Sequence, residues 1–145
     1  MNIQTILATK GADVVTIGPD HTIRDALATL ARHNFGALVV VDDAYNPIGI
    51  ISERDIVRLA ARNEDCFAIP VSQVMTKNLI TGVRQDELRA VANTMTEMRI
   101  RHLPIVDAQG KLIGIISIGD IVKAERNLFQ GEADTLRTQI LADEV

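Results

Sequence analysis

The stretch Ile48-Gly49-Ile50-Ile51-Ser52-Glu53-Arg54-Asp55-Ile56-Val57 returns 65 residues later as Ile113-Gly114-Ile115-Ile116-Ser117-Ile118-Gly119-Asp120-Ile121-Val122. A chain written twice from one unit has to be explained as a pair of units, which removes most alternative folds at once. The correspondence runs upstream without a gap. Leu38-Val39-Val40-Val41-Asp42 falls on Leu103-Pro104-Ile105-Val106-Asp107, and Ile23, Ala26, Leu27 and Leu30 fall on Leu88, Val91, Ala92 and Met95. Nearer the N-terminus, Thr9-Lys10 and Thr16 resemble Thr76-Lys77 and Thr81, with two extra residues in the first copy.

Each copy carries the same run of local signals. Val14-Val15-Thr16-Ile17 and Leu79-Ile80-Thr81 are short apolar stretches expected to form an edge strand. Positions 23, 26, 27, 30 and 88, 91, 92, 95 follow the i, i+3, i+4, i+7 spacing of an amphipathic helix. Thr22 or His21 suits the cap of the first such helix and Asp86 that of the second. Two β-rich runs then flank a turn-forming loop, Asp43-Ala44-Tyr45-Asn46-Pro47 or Ala108-Gln109-Gly110-Lys111, which reads as a hairpin. A second helix begins at Ser52 or Ser117. The unit is therefore β-α-β-β-α. About 60 residues bury too little surface to be robust alone, so two units are expected to pack sheet to sheet about a pseudo-two-fold axis in an α/β (α+β) fold. The expected division is 1–70 for the first repeat with its linker, through the polar Arg62-Asn63-Glu64-Asp65. The second repeat takes 71–125, and 126–145 is a helical extension with Leu128, Leu136, Ile140 and Leu141, suited to a dimer contact.

Composition narrows the function. A 47% hydrophobic content supports a real core, yet aromatics are 3% and Trp is absent, so stacking platforms are scarce. A net charge of −4 argues against a surface built to neutralise nucleic-acid phosphates. The lone Cys66 has no disulfide partner and no basic neighbour, and is expected to be a buried thiol. No apolar run reaches the roughly 18 residues of a membrane span and Met1-Asn2-Ile3-Gln4 lacks a basic n-region, so a cytoplasmic setting is expected. There is no Gly-x-Ser-x-Gly elbow, no Walker loop around Gly110-Lys111 and no zinc-ligand spacing. An enzyme is not expected, and neither a metal nor a required cofactor.

The chemistry to weigh is the repeated Gly-Ile-Ile-Ser-x-x-Asp. Gly49 and Gly114 admit a close approach to the backbone. Ser52 and Ser117 stand where a helix N-terminus offers unpaired N–H groups and positive dipole to an anion, and Asp55 and Asp120 offer paired acceptors for two adjacent hydroxyls. The same Ser-x-x-Asp is also an ordinary capping box, and duplication copies caps as readily as sites. Residue chemistry leaves both explanations open.

With its paired Gly-Ile-Ile-Ser-x-x-Asp-Ile-Val, Arg101-His102-Leu103-Pro104-Ile105-Val106-Asp107 and Val74-Met75-Thr76, the chain resembles a tandem pair of CBS (cystathionine β-synthase) domains over roughly residues 5 to 125. The resemblance implies a stand-alone regulatory module with two clefts for adenosine-containing ligands (AMP, ADP, ATP or S-adenosylmethionine), forming a homodimer and addressing a separate effector protein. Carried onto this sequence, it implies a first site of Ser52, Arg54 and Asp55 with Val15, Thr16, Phe35, Gly36 and Ala37. The second implied site has Ser117 and Asp120 with Ile80, Thr81, Ile100, Arg101 and His102; Arg101 and His102 are in reach of both, and Pro104 is a further ligand-binding candidate. Arg54, Arg101 and His102 together suit a di- or triphosphate, so the Ser52–Asp55 cleft is expected to take the more anionic ligand. An unperturbed His102 would titrate near neutrality. The competing expectation is a ligand-free interaction module acting through dimerisation; nucleotide hydrolysis and nucleic-acid binding are the further, disfavoured classes.

Overall fold

Thr22 closes a capping box at the start of the first long helix: its hydroxyl accepts the Asp25 N–H at 3.2 Å while Asp25 Oδ2 accepts the Thr22 N–H at 3.0 Å. From that start helix α2 runs Ile23–His33 with Ile23, Ala26 and Leu30 buried. The structure, a computed structural model, describes residues 1–11 and 14–128. The order is α1 (Ile3–Lys10), β1 (Thr16–Ile17), α2, β2 (Ala37–Val41), β3 (Pro47–Ser52), α3 (Glu53–Arg62), α4 (Leu88–Met98), β4 (His102–Val106), β5 (Leu112–Ser117). A final helix, α5, covers 118–128 within the described residues. Of the expected extension 126–145, all beyond Leu128 lies outside them.

The sheets explain why the strands are apolar throughout. In β2–β3 the antiparallel pairs Leu38↔Ile51 and Val40↔Gly49 face one core, and Val39↔Ile50 faces the other way. The second repeat copies this with Leu103↔Ile116, Ile105↔Gly114 and Pro104↔Ile115. One core lies under α2 and α3, a second under α4 and α5, and a third, with Val39, Val41 and Leu112, joins the two sheets. Strands buried on both faces carry near-continuous hydrophobic runs rather than alternation.

Three expectations are corrected. The first strand is only Thr16–Ile17, paired parallel with Val39 and Val40, so Val14 and Val15 fall outside it. Leu79-Ile80-Thr81 forms no strand; a single parallel bridge joins Gly82 to Ile105. Where the first copy has Val39 the second has Pro104, which lacks the N–H needed to carry the ladder back to Ile80. Asp86 does not cap α4. The N-cap is Glu87, which makes no side-chain cap bond, and Asp86 Oδ2 instead accepts the Val83 N–H at 2.9 Å.

Helix α1 lies outside the expected repeat unit, although Ile3, Ile6 and Leu7 have helical spacing and Asn2 Oδ1 accepts the Thr5 N–H. These residues are buried in the core of the second repeat, beside Leu88, Met95 and Ile116. The N-terminus is tied there by Ile3 N–H to the Asp86 carbonyl and Gln4 N–H to the Arg84 carbonyl, both 3.0 Å. The segment opening the second repeat does the same to the first: Val71 N–H reaches the His21 carbonyl at 2.7 Å and Ser72 N–H the Pro19 carbonyl at 3.0 Å. Each repeat thus begins inside the other. Gly114 exists to admit the exchange, because a Cβ there would lie 2.6 Å from Leu7 Cδ2, just as a Cβ at Gly49 would strike Met75. Leu7→Ala is expected to cost about 3 kcal/mol in urea unfolding, the range for a buried leucine. A loss under about 1 kcal/mol would place α1 outside that core.

Candidate functional site

The strand-to-helix corner at Ser52 is where the chain arranges its polar chemistry. Ser52 ends β3 and caps α3, its Oγ accepting the Asp55 N–H at 3.2 Å while Asp55 Oδ2 accepts the Ser52 N–H at 2.9 Å. The capping box is real, yet it uses only one carboxylate oxygen. Asp55 Oδ1 has no hydrogen-bond partner among the described residues. Glu53 N–H donates to the Gly36 carbonyl at 3.0 Å, and the Arg54 N–H has no protein acceptor among the described residues. A helix start therefore retains a donor and a carboxylate oxygen for something else.

That corner faces a cleft of about 470 Å³, within the roughly 300–1,000 Å³ typical of small-molecule sites. Repeat one contributes Gly36, Ile50 and the Ser52–Asp55 turn with Arg58; repeat two contributes Thr76, Asn78 to Ile80, Arg99 to His102 and Pro104. Ile50, Leu79, Ile80, Ile100 and Pro104 are apolar walls, and four arginines (54, 58, 99 and 101) oppose the acids Glu53 and Asp55. Arg99 sits in the left-handed conformation at the end of α4 with φ 56°, as its counterpart Asn34 does at the end of α2 with φ 54°. That turn brings 100–102 back toward the cleft. No glycine marks it, so Arg99 was absent from the sequence-derived set, and Arg58, one turn beyond Asp55, was absent too.

The walls cross between the repeats. Ile80 and Ile100, expected around Asp120, line the cleft of Asp55 together with Arg101 and His102, expected at both, and Pro104; Thr81 does not. Of the residues expected there, Ser52, Arg54, Asp55 and Gly36 do line it, while Val15, Thr16, Phe35 and Ala37 do not. Thr16 is paired in β1, Ala37 is buried at the head of β2, and Phe35 stacks on His33 with ring centroids 5.8 Å apart. Under the 65-residue offset they correspond to Ile80, Thr81, Ile100 and His102. The cause is the exchange of opening segments, which carries 76–80 across to the first sheet: Ile50 and Thr76 trade backbone hydrogen bonds at 3.0 and 2.8 Å.

At the second corner Asp120 Oδ2 accepts the Ser117 N–H at 2.8 Å and Ser117 Oγ accepts the Asp120 N–H at 3.1 Å. Burial works to raise the Asp120 carboxyl. The hydrogen bond and charge of Lys10, with the bonds to Ser117, outweigh it and hold the group below its ordinary value. His102 lines the first cleft and also feels the second. Burial, then the Lys10 charge and to a smaller degree Arg101, lower its imidazole, and Asp120 opposes them. The ring is therefore neutral at pH 7, not poised at neutrality. A depressed histidine contributes stability that is complete above the unfolded value of about 6.5 and is lost as pH falls through the folded one. An NMR titration of the unliganded protein is expected to place the His102 midpoint below about 6.5; a midpoint at or above that value contradicts the burial argument.

Among the described residues no group of His, Cys, Asp and Glu is arranged to hold a metal ion, and no helix is long and apolar enough to cross a membrane.

Comparison with known proteins agrees with this architecture. The CBS domain family matches residues 6–62 and 71–127. A CBS-domain containing protein from Agrobacterium tumefaciens superposes with a TM-score of 0.81 at 40% identity, covering 86% of this chain and 99% of its own. The CBS domain pair of protein MJ0100, in complex with 5′-methylthioadenosine and S-adenosyl-L-methionine, has a TM-score of 0.77 at 27% identity over 91% of this chain and 98% of its own. CBSX2 in complex with AMP gives 0.69 at 28% identity over 79% and 89%. Inosine-5′-monophosphate dehydrogenase of Aquifex aeolicus is 37% identical over 85% of this chain, but the match covers 25% of that enzyme.

Proposed function

The chain belongs to the CBS-domain family, and from that premise we propose that it is a regulatory module binding an adenosine nucleotide in the cleft between Ser52–Asp55 and Arg99–His102. The observation that carries this reading is one cleft in which a carboxylate-bearing helix start from one repeat meets aliphatic walls and two arginines from the other. Asp55 takes one ribose hydroxyl on the oxygen that its capping box leaves over and the other on Oδ2, which accepts only the Ser52 N–H. The Arg54 N–H and Ser52 lie at the positive end of α3, suited to a phosphate. The flat aliphatic walls of Ile80, Ile100 and Pro104 suit a purine ring, in keeping with adenosyl ligands bound by the related pairs.

Charge selects among such ligands. Arg54, Arg58, Arg99 and Arg101 outnumber Glu53 and Asp55, and guanidinium forks match phosphate oxygens in pairs. The cleft is therefore assigned to a ligand with more than one phosphate, ATP or ADP, ahead of AMP or S-adenosylmethionine. A nucleotide at 100 times its dissociation constant should stabilise the fold by about 2.7 kcal/mol. In titration calorimetry Asp55→Ala is expected to weaken ATP by about tenfold or more, the loss of a charge-assisted hydrogen-bond pair. Arg101→Ala is expected to weaken ATP more than AMP. Absence of any thermal shift with ATP, ADP, AMP or S-adenosylmethionine would contradict the reading.

Pairing of two copies is part of the proposal. Val57 on α3 and its counterpart Val122 on α5 are 67% and 55% exposed, with Ile118 near the latter. Helix positions duplicated as solvent-facing valines favour an apolar contact between modules. Val57→Glu combined with Val122→Glu is expected to convert a dimer to a monomer in light scattering; an unchanged mass would place the contact elsewhere. The output passes to a separate effector protein, since regulation requires a partner that distinguishes the liganded state.

A further inference from the structure

The two corners share a hydroxyl–carboxylate pair but differ in what occupies it. Lys10, the last residue of α1, donates its ammonium to Asp120 Oδ2 at 2.7 Å and to the Ile115 carbonyl at 2.8 Å. Ile115 is the counterpart of Ile50, whose carbonyl takes the Thr76 N–H at 2.8 Å. A lysine ammonium thus does in one repeat what a backbone amide does in the other. An amide has one hydrogen to give, whereas an ammonium has three, and a second one reaches the carboxylate.

The consequence for a ligand is direct. Asp120 Oδ2 already accepts from both Ser117 N–H and Lys10, whereas Asp55 Oδ2 accepts from Ser52 N–H alone and no cation holds that carboxylate among the described residues. A vicinal diol that gives one hydrogen to each carboxylate oxygen finds room at Asp55 and a filled acceptor at Asp120. Lys77, the counterpart of Lys10 in the repeat, is exposed and makes no ion pair among the described residues.

Building on the nucleotide reading above, we propose that Lys10 is a specificity-determining residue. It holds the Asp120 carboxylate as an internal cation and restricts the module to one working adenosine site per chain, at Asp55. The lysine side chain is 35% exposed and the carboxylate 23%, so the pair is open to removal by a single substitution without disturbing the core.

Calorimetric titration of the full chain with ATP, and separately with AMP, tests this in the unaltered protein and in Lys10→Met and Lys10→Arg. The expected result is one site per chain in the unaltered protein, weakened about tenfold or more by Asp55→Ala. Lys10→Met is expected to show two, the added site at least about tenfold tighter than any second event before substitution, as befits a charged hydrogen bond removed. Lys10→Arg should stay at one. Thermal unfolding checks that Lys10→Met is folded; if it is not, Lys10→Gln replaces it with the same expectation. Two sites in the unaltered chain, or one site in a folded Lys10→Met, overturns the role of Lys10 while leaving the Asp55 site standing. If the unaltered chain binds neither nucleotide, binding by Lys10→Met alone upholds the internal cation and removes the Asp55 reading. Binding by neither form overturns both.

Discussion

Burial of Val39, Val41 and Leu112 between the two sheets is the contact on which everything else in the molecule depends. Each sheet has helices on one face only, and its other face is as apolar as the first. A single repeat would leave that face in water. Pressing the two faces together covers Val39, Ile50 and Ile115, and it sets the helix starts of one repeat opposite the strand starts of the other. The turns are joined at the same seam, where Leu112 N–H reaches the Tyr45 carbonyl and Lys111 the Asn46 side chain. The clefts are by-products of that closure, formed where the two curved surfaces part.

Exchange of the opening segments gives those clefts their composite character. Ile3 to Leu7 completes the second core and Ile69 to Met75 completes the first. Residues 76–80 are thereby carried onto the neighbouring sheet, where they become walls for Ser52 and Asp55. A ligand seated there contacts both repeats at once, so its binding bears on the relative position of the two halves. Under the proposed nucleotide-binding reading, this coupling is the route by which occupancy reaches the rest of the module. The Ser-x-x-Asp pair serves two ends without conflict: its hydroxyl and one carboxylate oxygen terminate a helix, and the remaining oxygen is available to a ligand.

Much of this was legible in the residues because duplication is visible at every level. The β-α-β-β-α order, the Thr22, Ser52 and Ser117 caps and both hairpins follow from local spacing and turn chemistry. What was not legible depends on contacts between distant segments. Pro104 shortens the strand expected at 79–81 only because its missing N–H would have faced Ile80, which a one-dimensional pattern does not reveal. Ile3, Ile6 and Leu7 had helical spacing, but their core lies in the other repeat. The same crossing explains why Ile80, Ile100, Arg101, His102 and Pro104 line the Asp55 cleft although they belong to the copy that contains Asp120. Arg99 has no sequence signature, since a left-handed arginine at a helix end looks like any other, and Lys10, though matched to Lys77 in the repeat, gives no sign of its role because its partner lies more than a hundred residues away.

The central claim is that one nucleotide is gripped by both repeats together. Backbone amide chemical-shift mapping on addition of saturating ATP measures it most directly. The account predicts that amides of 52–55 in the first repeat and of 78–80 and 99–102 in the second respond together, at a single midpoint. A response confined to one repeat, or none at all, would contradict it.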